Sequence, residues 1–242
     1  MSGALALVGS GEYLPEMQDL ETRLINSGLG NGCSNSYVQL ATAAGAESQS
    51  RLDHWQALGR EQANRIGAKP IFLPVFEREH AFNESIIELI DKPALIYFSG
   101  GDPSYLVKSL VNTPLLAKIR QSWMLGSAVA GCSAGAMAMG FDVPNFFRPV
   151  HDGITGFNFV GKIRTIPHFD KYFGWVPDSA AKFVTRAPAN TTVLGIDELT
   201  ALANGIDSYN WQVYGLGHVH LLKGDPLGKF SAGHRFLGGS LS

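Results

Sequence analysis

One short segment of the sequence has the residue types and spacing of a nucleophilic hydrolase. Residues 131–135 read Gly-Cys-Ser-Ala-Gly and match the pattern G-x-S-x-G. In a nucleophile elbow the serine occupies a sharp, strained turn between a strand and a helix, so the flanking residues must lack bulk. Gly131 and Gly135 provide that clearance. The chemistry they indicate is attack by the Ser133 hydroxyl on an acyl carbon.

The elements around this segment agree with that interpretation. Residues 127–130 predict a short buried strand, and residues 133–139 are rich in helix formers. The backbone N–H of Ala134 would then point to the place where an oxyanion forms. Cys132 competes as a nucleophile on chemical grounds, but the glycine spacing centres the turn on Ser133 and directs Cys132 toward the core. A tight turn without chemistry is the alternative.

A serine nucleophile needs a base at neutral pH, and histidine is the usual one. His168 ends a short extended segment that Pro167 stiffens, which places it at a strand end. Ligands of open α/β sheets gather at the carboxyl ends of the strands, so this position favours His168. The other histidines, which remain alternatives by residue type, are His54, His80, His151, His218, His220 and His234.

The base in turn needs a carboxylate that orients it. Glu198 follows an apolar run at 193–196 that predicts a strand, so it too lies at a strand end. Asp170, two residues beyond His168, is a local rival. Asp142 and Asp152 follow the predicted elbow helix, and reasoning from the residues leaves the choice open.

A second oxyanion donor should be a backbone N–H at another strand end. Ser-Gly-Gly-Asp at 99–102 follows the strongly apolar run 94–98, and glycine lets a backbone approach a substrate closely. The alternative is an ordinary strand-to-helix turn in which Asp102 and Pro103 open the helix.

The candidate residues lie in a sequence in which strand and helix patterns alternate. Short apolar strands without polar alternation recur through the first 140 residues, and such strands are buried on both faces. The prediction is an α/β fold, a mostly parallel sheet flanked by helices, in one domain over residues 1–242. A further helix is predicted near residues 178–184.

Composition excludes several classes of protein. The 242 residues are 45% hydrophobic and carry a formal charge of -2, which argues against a disordered chain and a nucleic-acid binder. Two cysteines make no disulfide scaffold, and no apolar run approaches the roughly 18 residues of a membrane span. The first residues make a poor signal peptide, so we expect a cytoplasmic protein.

No cofactor or metal is expected either. Gly9-Ser10-Gly11 lacks the third glycine of a dinucleotide fingerprint, because Leu14 stands there. Residues 224–229 are too short for a phosphate-binding loop. His218 and His220 share one face of a predicted strand, but a metal would need a third ligand that the sequence does not supply.

Four segments together resemble a known family. They are residues 99–102, 131–136 (Gly-Cys-Ser-Ala-Gly-Ala), 166–169 (Ile-Pro-His-Phe) and 195–198 (Gly-Ile-Asp-Glu). In this order they look like the serine peptidase family that contains cyanophycinase and aspartyl dipeptidase (dipeptidase E). The resemblance covers roughly residues 4–220 and implies a class I glutamine amidotransferase-like fold. The order serine, histidine, acid along the chain agrees with that fold, whereas α/β-hydrolases place the acid before the histidine.

The resemblance also implies roles. Ser133 would be the nucleophile, His168 the general base and then acid, and Glu198 the orienting acid, with Asp197 its most easily confused neighbour. Gly101 and Ala134 would form the oxyanion hole. The implied activity is hydrolysis of a short, aspartyl or β-aspartyl peptide or a cyanophycin-like polymer, and a homodimer is common among such relatives.

Substrate recognition is where the chain departs from the family. After His168 the sequence is aromatic (170–175, Asp-Lys-Tyr-Phe-Gly-Trp) where a basic stretch is expected. An aspartyl side chain needs a cation. Candidate substrate-binding residues by location are Arg148, Arg164, Lys171 and, in the retained Gly-Gly-Asp turn, Asp102. The alternatives are a binding or regulatory module without turnover and an esterase or amidohydrolase with the same triad.

Overall fold

The computed structural model describes residues 2–143, 154–172, 187–207, 210–236 and 241. The predicted helix at 178–184, together with Arg148, His151 and Asp152, lies outside the described residues. The strands are β1 Leu5–Val8, β2 Ser34–Leu40, β3 Lys69–Leu73, β4 Pro93–Phe98, β5 Ala128–Cys132, β6 Asp142–Val143, β7 Ile154–Thr155, β8 Ile163–Ile166, β9 Thr192–Ile196, β10 Thr200–Asn204, β11 Trp211–Gly215, β12 His218–Lys223, β13 Gly228–Ser231 and β14 Arg235–Phe236. The helices are α1 Gln18–Gly30, α2 Gln49–Ile66, α3 Glu84–Ile87, α4 Pro103–Leu110, α5 Pro114–Met124, α6 Ala134–Ala138 and α7 Phe169–Tyr172.

The main sheet confirms the predicted fold class. The described residues form an eight-stranded sheet in the order β14-β11-β10-β1-β5-β4-β2-β3. The strands from β1 to β3 in this order are parallel, whereas β10, β11 and β14 add an antiparallel edge. Parallel strands joined by helices leave their carboxyl ends on one rim of the sheet.

Both faces of the inner parallel strands β1, β4 and β5 are buried, as the apolar runs predict. In β4, Leu95 and Tyr97 pack into one hydrophobic cluster with α1, while Ile96 and Phe98 pack into another with α4 and α5. Alternate residues of a strand point to opposite faces, so an apolar strand without polar alternation needs cover on both sides.

Helix starts follow the capping residues. The side chain of Asn83 accepts hydrogen bonds at the start of α3, that of Asp102 at the start of α4, and that of Thr113 at the start of α5. Each satisfies backbone N–H groups that the first helical turn leaves without partners. Pro103 and Pro114 follow their caps at the first helical position, where the missing N–H costs no helical bond.

A second sheet corrects the single-sheet picture. Residues 212–222 are typical of strand sequence, and the structure divides them between β11 and β12, of which β12 joins another sheet in the order β13-β12-β9-β8. The pairing of β9 with β8 is parallel and that with β12 antiparallel. The strands that lead to His168 and Glu198 therefore lie side by side.

The described residues hold no helix that combines the length and the apolar character needed to cross a bilayer.

Glu21 of α1 is a fully buried carboxyl on one face of the main sheet. It accepts hydrogen bonds from the Tyr37 hydroxyl at 3.0 Å and the Tyr13 N–H at 3.3 Å. Burial raises the pKa of Glu21 from 4.5 to about 7, although the bonds from Tyr37, Gln62 and Tyr13 oppose the shift. Glu12 lies close enough to add a repulsive contribution in the raising direction.

This raised pKa predicts that the protein loses stability as the pH rises. The folded state holds the Glu21 proton up to about pH 7 and the unfolded chain loses it near 4.5, so the contribution is full below 4.5 and disappears through pH 7. The shift corresponds to about 3 kcal/mol of unfolding free energy. Denaturant titrations at pH 5 and pH 8 should show that Glu21→Gln reduces this pH dependence by most of that amount, because a small part of the contribution is already lost at pH 5. An unchanged pH dependence in the variant would contradict the assignment.

Candidate active site

The turn that carries Ser133 has the geometry of a nucleophile elbow. Ser133 stands between β5 and α6 with φ 50° and ψ -108°, a conformation that is strained for a residue with a Cβ. A Cβ on Gly131 would lie 2.5 Å from the carbonyl of Gly135, and a Cβ on Gly135 2.3 Å from the carbonyl oxygen of Phe98. The two glycines of the pattern are therefore required by close backbone contact.

His168 and Glu198 lie beside the elbow. The Nε2 atom of His168 is 3.0 Å from the Ser133 Oγ, and its Nδ1 atom is 3.1 Å from the Glu198 Oε1. His168 follows β8 and Pro167, and Glu198 follows β9, so the parallel pairing of these strands brings the two side chains together. His168 itself has φ 51°, a second strained backbone position at the same site.

This geometry is suited to proton transfer. If Nδ1–H donates to Glu198, then Nε2 carries the lone pair that can accept the proton of the Ser133 hydroxyl. The side chains of His168 and Glu198 are each 35% exposed, so a substrate can reach them.

The other candidate carboxylates are engaged elsewhere. The Oδ1 of Asp170 accepts the backbone N–H of Glu198 at 2.9 Å, which holds the Glu198 loop rather than the imidazole. Asp197 accepts from the His218 N–H and contacts the His220 Nε2 at 2.9 Å, and Asp142 pairs with Arg164. Among the described carboxylates, Glu198 is the one within hydrogen-bond distance of the His168 ring.

The candidate substrate cations differ in their surroundings. Arg164 is nearly buried, its guanidinium contacts both carboxylate oxygens of Asp142, and it lies 5.5 Å from the centre of the Phe141 ring. Lys171 is two-thirds exposed, and its Nζ is 3.8 Å from the Glu198 Oε2. Lys171 therefore lies at the edge of the site, whereas Arg164 is paired with Asp142 inside the protein.

Asp102 is exposed but already bonded. Its Oδ1 accepts the N–H groups of Ser104 at 2.7 Å and Tyr105 at 3.0 Å, as expected of a helix cap. The alternative interpretation of this turn, in which Asp102 opens α4, accounts for the residue without a substrate contact.

The Gly100–Gly101 turn lies against the elbow. A Cβ on Gly100 would stand 3.4 Å from the Ser133 Cβ, and one on Gly101, where φ is 136°, would meet the Ala43 carbonyl carbon at 2.5 Å. No described residue accepts a hydrogen bond from the Gly101 N–H. The N–H of Ala134, at the first position of α6, has no partner within its helix. Both N–H groups are therefore without an acceptor among the described residues, as an oxyanion donor requires.

Glu12 is a buried residue of this region that the sequence reasoning missed. Its Oε1 accepts the Gly100 N–H at 2.7 Å, and its Oε2 accepts from the Cys132 thiol at 2.9 Å. The available signal was its position, directly after the apolar run 4–8 and the turn Gly9-Ser10-Gly11. Burial and Glu12 raise the pKa of the Cys132 thiol, which opposes formation of the nucleophilic thiolate.

His218 and His220 form a polar cluster with Asp197. The described residues contain no group of three or more histidine, cysteine or acidic side chains arranged to hold a metal ion. Burial lowers the pKa of His220, although Asp197 opposes the shift. The His220 ring packs 4.6 Å from the Phe169 ring, next to His168 in the chain.

The sequence is similar to members of a known protein family. A model of peptidase family S51 matches residues 5–208. The cyanophycinase of Geminocystis herdmanii (strain PCC 6308) is 28% identical over 209 residues, which are 81% of this chain and 72% of the relative. The cyanophycinase of Trichormus variabilis (strain ATCC 29413 / PCC 7937) is 26% identical over 208 residues, 81% of this chain and 65% of that relative.

Solved structures resemble the fold as well. The crystal structure of a peptidase from an acI-B1 actinobacterium superposes with a TM-score of 0.93 at 48% identity, covering 98% of this chain and 97% of that one. A peptidase E candidate from Listeria monocytogenes EGD-e superposes with a TM-score of 0.60 at 17% identity, covering 90% and 100%. At that identity the second likeness concerns the fold alone.

Proposed function

The chain belongs to peptidase family S51 and is a serine-type peptidase, and from that premise we propose that Ser133, His168 and Glu198 form its catalytic triad. The observation that supports this most directly is the continuous set of contacts from the Ser133 Oγ through the His168 ring to the Glu198 carboxylate. We also propose that residues 1–242 form one catalytic domain.

The proposed reaction proceeds through an acyl-enzyme. The Ser133 Oγ attacks the peptide carbonyl carbon while its proton passes to the His168 Nε2, and Glu198 stabilises the imidazolium. The N–H groups of Gly101 and Ala134 donate to the oxyanion that forms on the carbonyl oxygen. His168 then protonates the leaving amine, and the same ring activates the water that hydrolyses the ester.

For the substrate we propose a short peptide with an aspartyl or β-aspartyl residue, cyanophycin-like polymers included. The two curated relatives named above are cyanophycinases. The chain spans 72% of the length of the first and 65% of the length of the second. Lys171 is the described cation that we assign to the substrate carboxylate, because it is exposed and close to Glu198.

The experiment combines a substrate panel with covalent labelling. Aspartyl dipeptides, β-aspartyl dipeptides, cyanophycin and simple esters are incubated with the protein, and a peptidyl phosphonate is used to label the nucleophile. We expect peptide cleavage together with one phosphonate per chain on Ser133, identified by peptide mass spectrometry. Labelling on another residue would refute the triad, and ester turnover without peptide cleavage would refute the proposed substrate class.

A further inference from the structure

The loop formed by residues 9–14, which follows β1, contacts the residues next to the proposed oxyanion hole. Its consecutive residues Glu12 and Tyr13 are both buried, at 8% and 2% exposure, and Tyr13 has φ 66°. Glu12 binds the Gly100 N–H, and the Tyr13 hydroxyl lies 2.7 Å from the Ser99 Oγ. Two neighbouring side chains of one loop thus contact consecutive residues at the end of β4.

Glu12 contacts both segments that supply the oxyanion donors. One carboxylate oxygen accepts from Gly100, the residue before Gly101, and the other accepts from Cys132, the residue before Ser133. These partners are 88 and 120 residues away along the chain. A single buried carboxyl therefore bridges the Gly100–Gly101 turn and the elbow.

Such a bridge matters because oxyanion stabilisation depends on donors that are oriented before the reaction. The Gly100 N–H belongs to the Ser99–Gly100 peptide plane, and once a hydrogen bond fixes that plane, only φ and ψ of Gly100 remain to orient the next plane, which carries the Gly101 N–H. Without an acceptor, the Gly100 N–H would be a buried unpaired donor, and the turn would gain by rotating away.

We propose that Glu12 is a positioning residue that holds the oxyanion hole in its reactive geometry by accepting hydrogen bonds from Gly100 and Cys132. This inference rests on the proposed function, since it takes Ser133 as the nucleophile. Glu12 itself does not touch the reacting atoms in this assignment.

A purely structural role is the competing explanation, and Glu21 provides a matched control. Glu21 is also a buried carboxyl, and it also bonds the 9–14 loop, through the Tyr13 N–H. Among the described residues, its hydrogen-bond partners include none from residues 99–101 or 131–135. A change at Glu21 alters the buried polar network without removing an acceptor from the oxyanion turn.

The test compares kcat, KM and binding of a peptide boronate, which forms a tetrahedral adduct, across four variants. Glu12→Leu should lower kcat about 10- to 100-fold and weaken boronate binding to a similar extent, with KM within threefold. Glu12→Asp keeps the charge but is too short to bridge both partners, so it should lose part of the kcat and part of the boronate affinity. Glu12→Gln keeps an acceptor oxygen at full length for the Gly100 N–H and turns its amide N–H₂ toward the Cys132 sulfur, a weak acceptor, so it should remain within fivefold of the wild type. Glu21→Gln should remain within threefold.

Several results would overturn the inference. A folded Glu12→Leu protein with wild-type kcat would do so, as would a Glu12→Gln variant no better than Glu12→Asp, which would show that charge matters rather than reach. If Glu12→Leu does not fold, the ranking of the Gln and Asp variants decides. Turnover that survives Ser133→Ala would instead refute the proposed function, so the two failures are distinguishable.

Discussion

Ser133→Ala should lower kcat/KM for peptide hydrolysis on the order of 10⁴-fold or more, with no comparable loss of stability. The substitution removes the atom that forms the acyl-enzyme, whereas the oxyanion donors and the rest of the fold remain. It also removes the oxygen that lies 3.0 Å from the His168 Nε2. Steady-state kinetics on the best peptide of the panel and thermal unfolding of the same preparation measure the two quantities.

Cys132→Ser is the matched control for this experiment. The Cys132 side chain is buried and donates to Glu12, and a serine hydroxyl can make the same bond. We expect most of the activity to remain. Equal rates for the wild type and Ser133→Ala, or a folded but inactive Cys132→Ser protein, would show that the elbow register is wrong.

Glu198→Gln should reduce kcat on the order of 10³- to 10⁴-fold, while folding is largely unaffected. A neutral amide cannot stabilise the imidazolium, and an amide N–H₂ directed at the His168 Nδ1 favours the wrong tautomer. Glu198 is 35% exposed, so the change leaves no buried unpaired group. The measurement is kcat across pH, with circular dichroism to check the fold.

Asp170→Asn separates this role from that of the neighbouring carboxyl. Asn keeps the oxygen that accepts the Glu198 N–H, so activity should stay within about fivefold of the wild type. If Asp170→Asn were the more damaging change, the orienting role would move from Glu198 to Asp170.

Local chemistry could be predicted from the residues alone. Gly131 and Gly135 around Ser133 predicted a turn between strand and helix, and the structure places that turn between β5 and α6. Thr113 and Asn83 are residue types that favour helix starts, because their side chains satisfy N–H groups within their own turn, and α5 and α3 begin directly after them. The apolar, β-branched run at residues 71–75 is typical of a strand that Pro74 weakens, and β3 ends at Leu73.

Other elements could not be predicted from sequence patterns. Helix α1, residues 18–30, was not predicted, since Met17 before it provides no side-chain hydrogen bond as a cap. Strand β10 was also missed, and its place is set by pairing with β1 and β11, which are distant in sequence. The division of 212–222 between two sheets depends on partners in the same way.

Sequence patterns predict which residues stand at strand ends and in what order a serine, a histidine and several carboxylates follow one another. Which of those groups meet depends on how the strands pair in three dimensions. The parallel pairing of β8 with β9 brings Glu198 rather than Asp197 or Asp142 to His168, and the neighbouring positions of β1, β5 and β4 bring Glu12 to Gly100 and Cys132. Hydrogen bonds act over about 3 Å, so they select partners by sheet order and register, which a one-dimensional pattern does not contain.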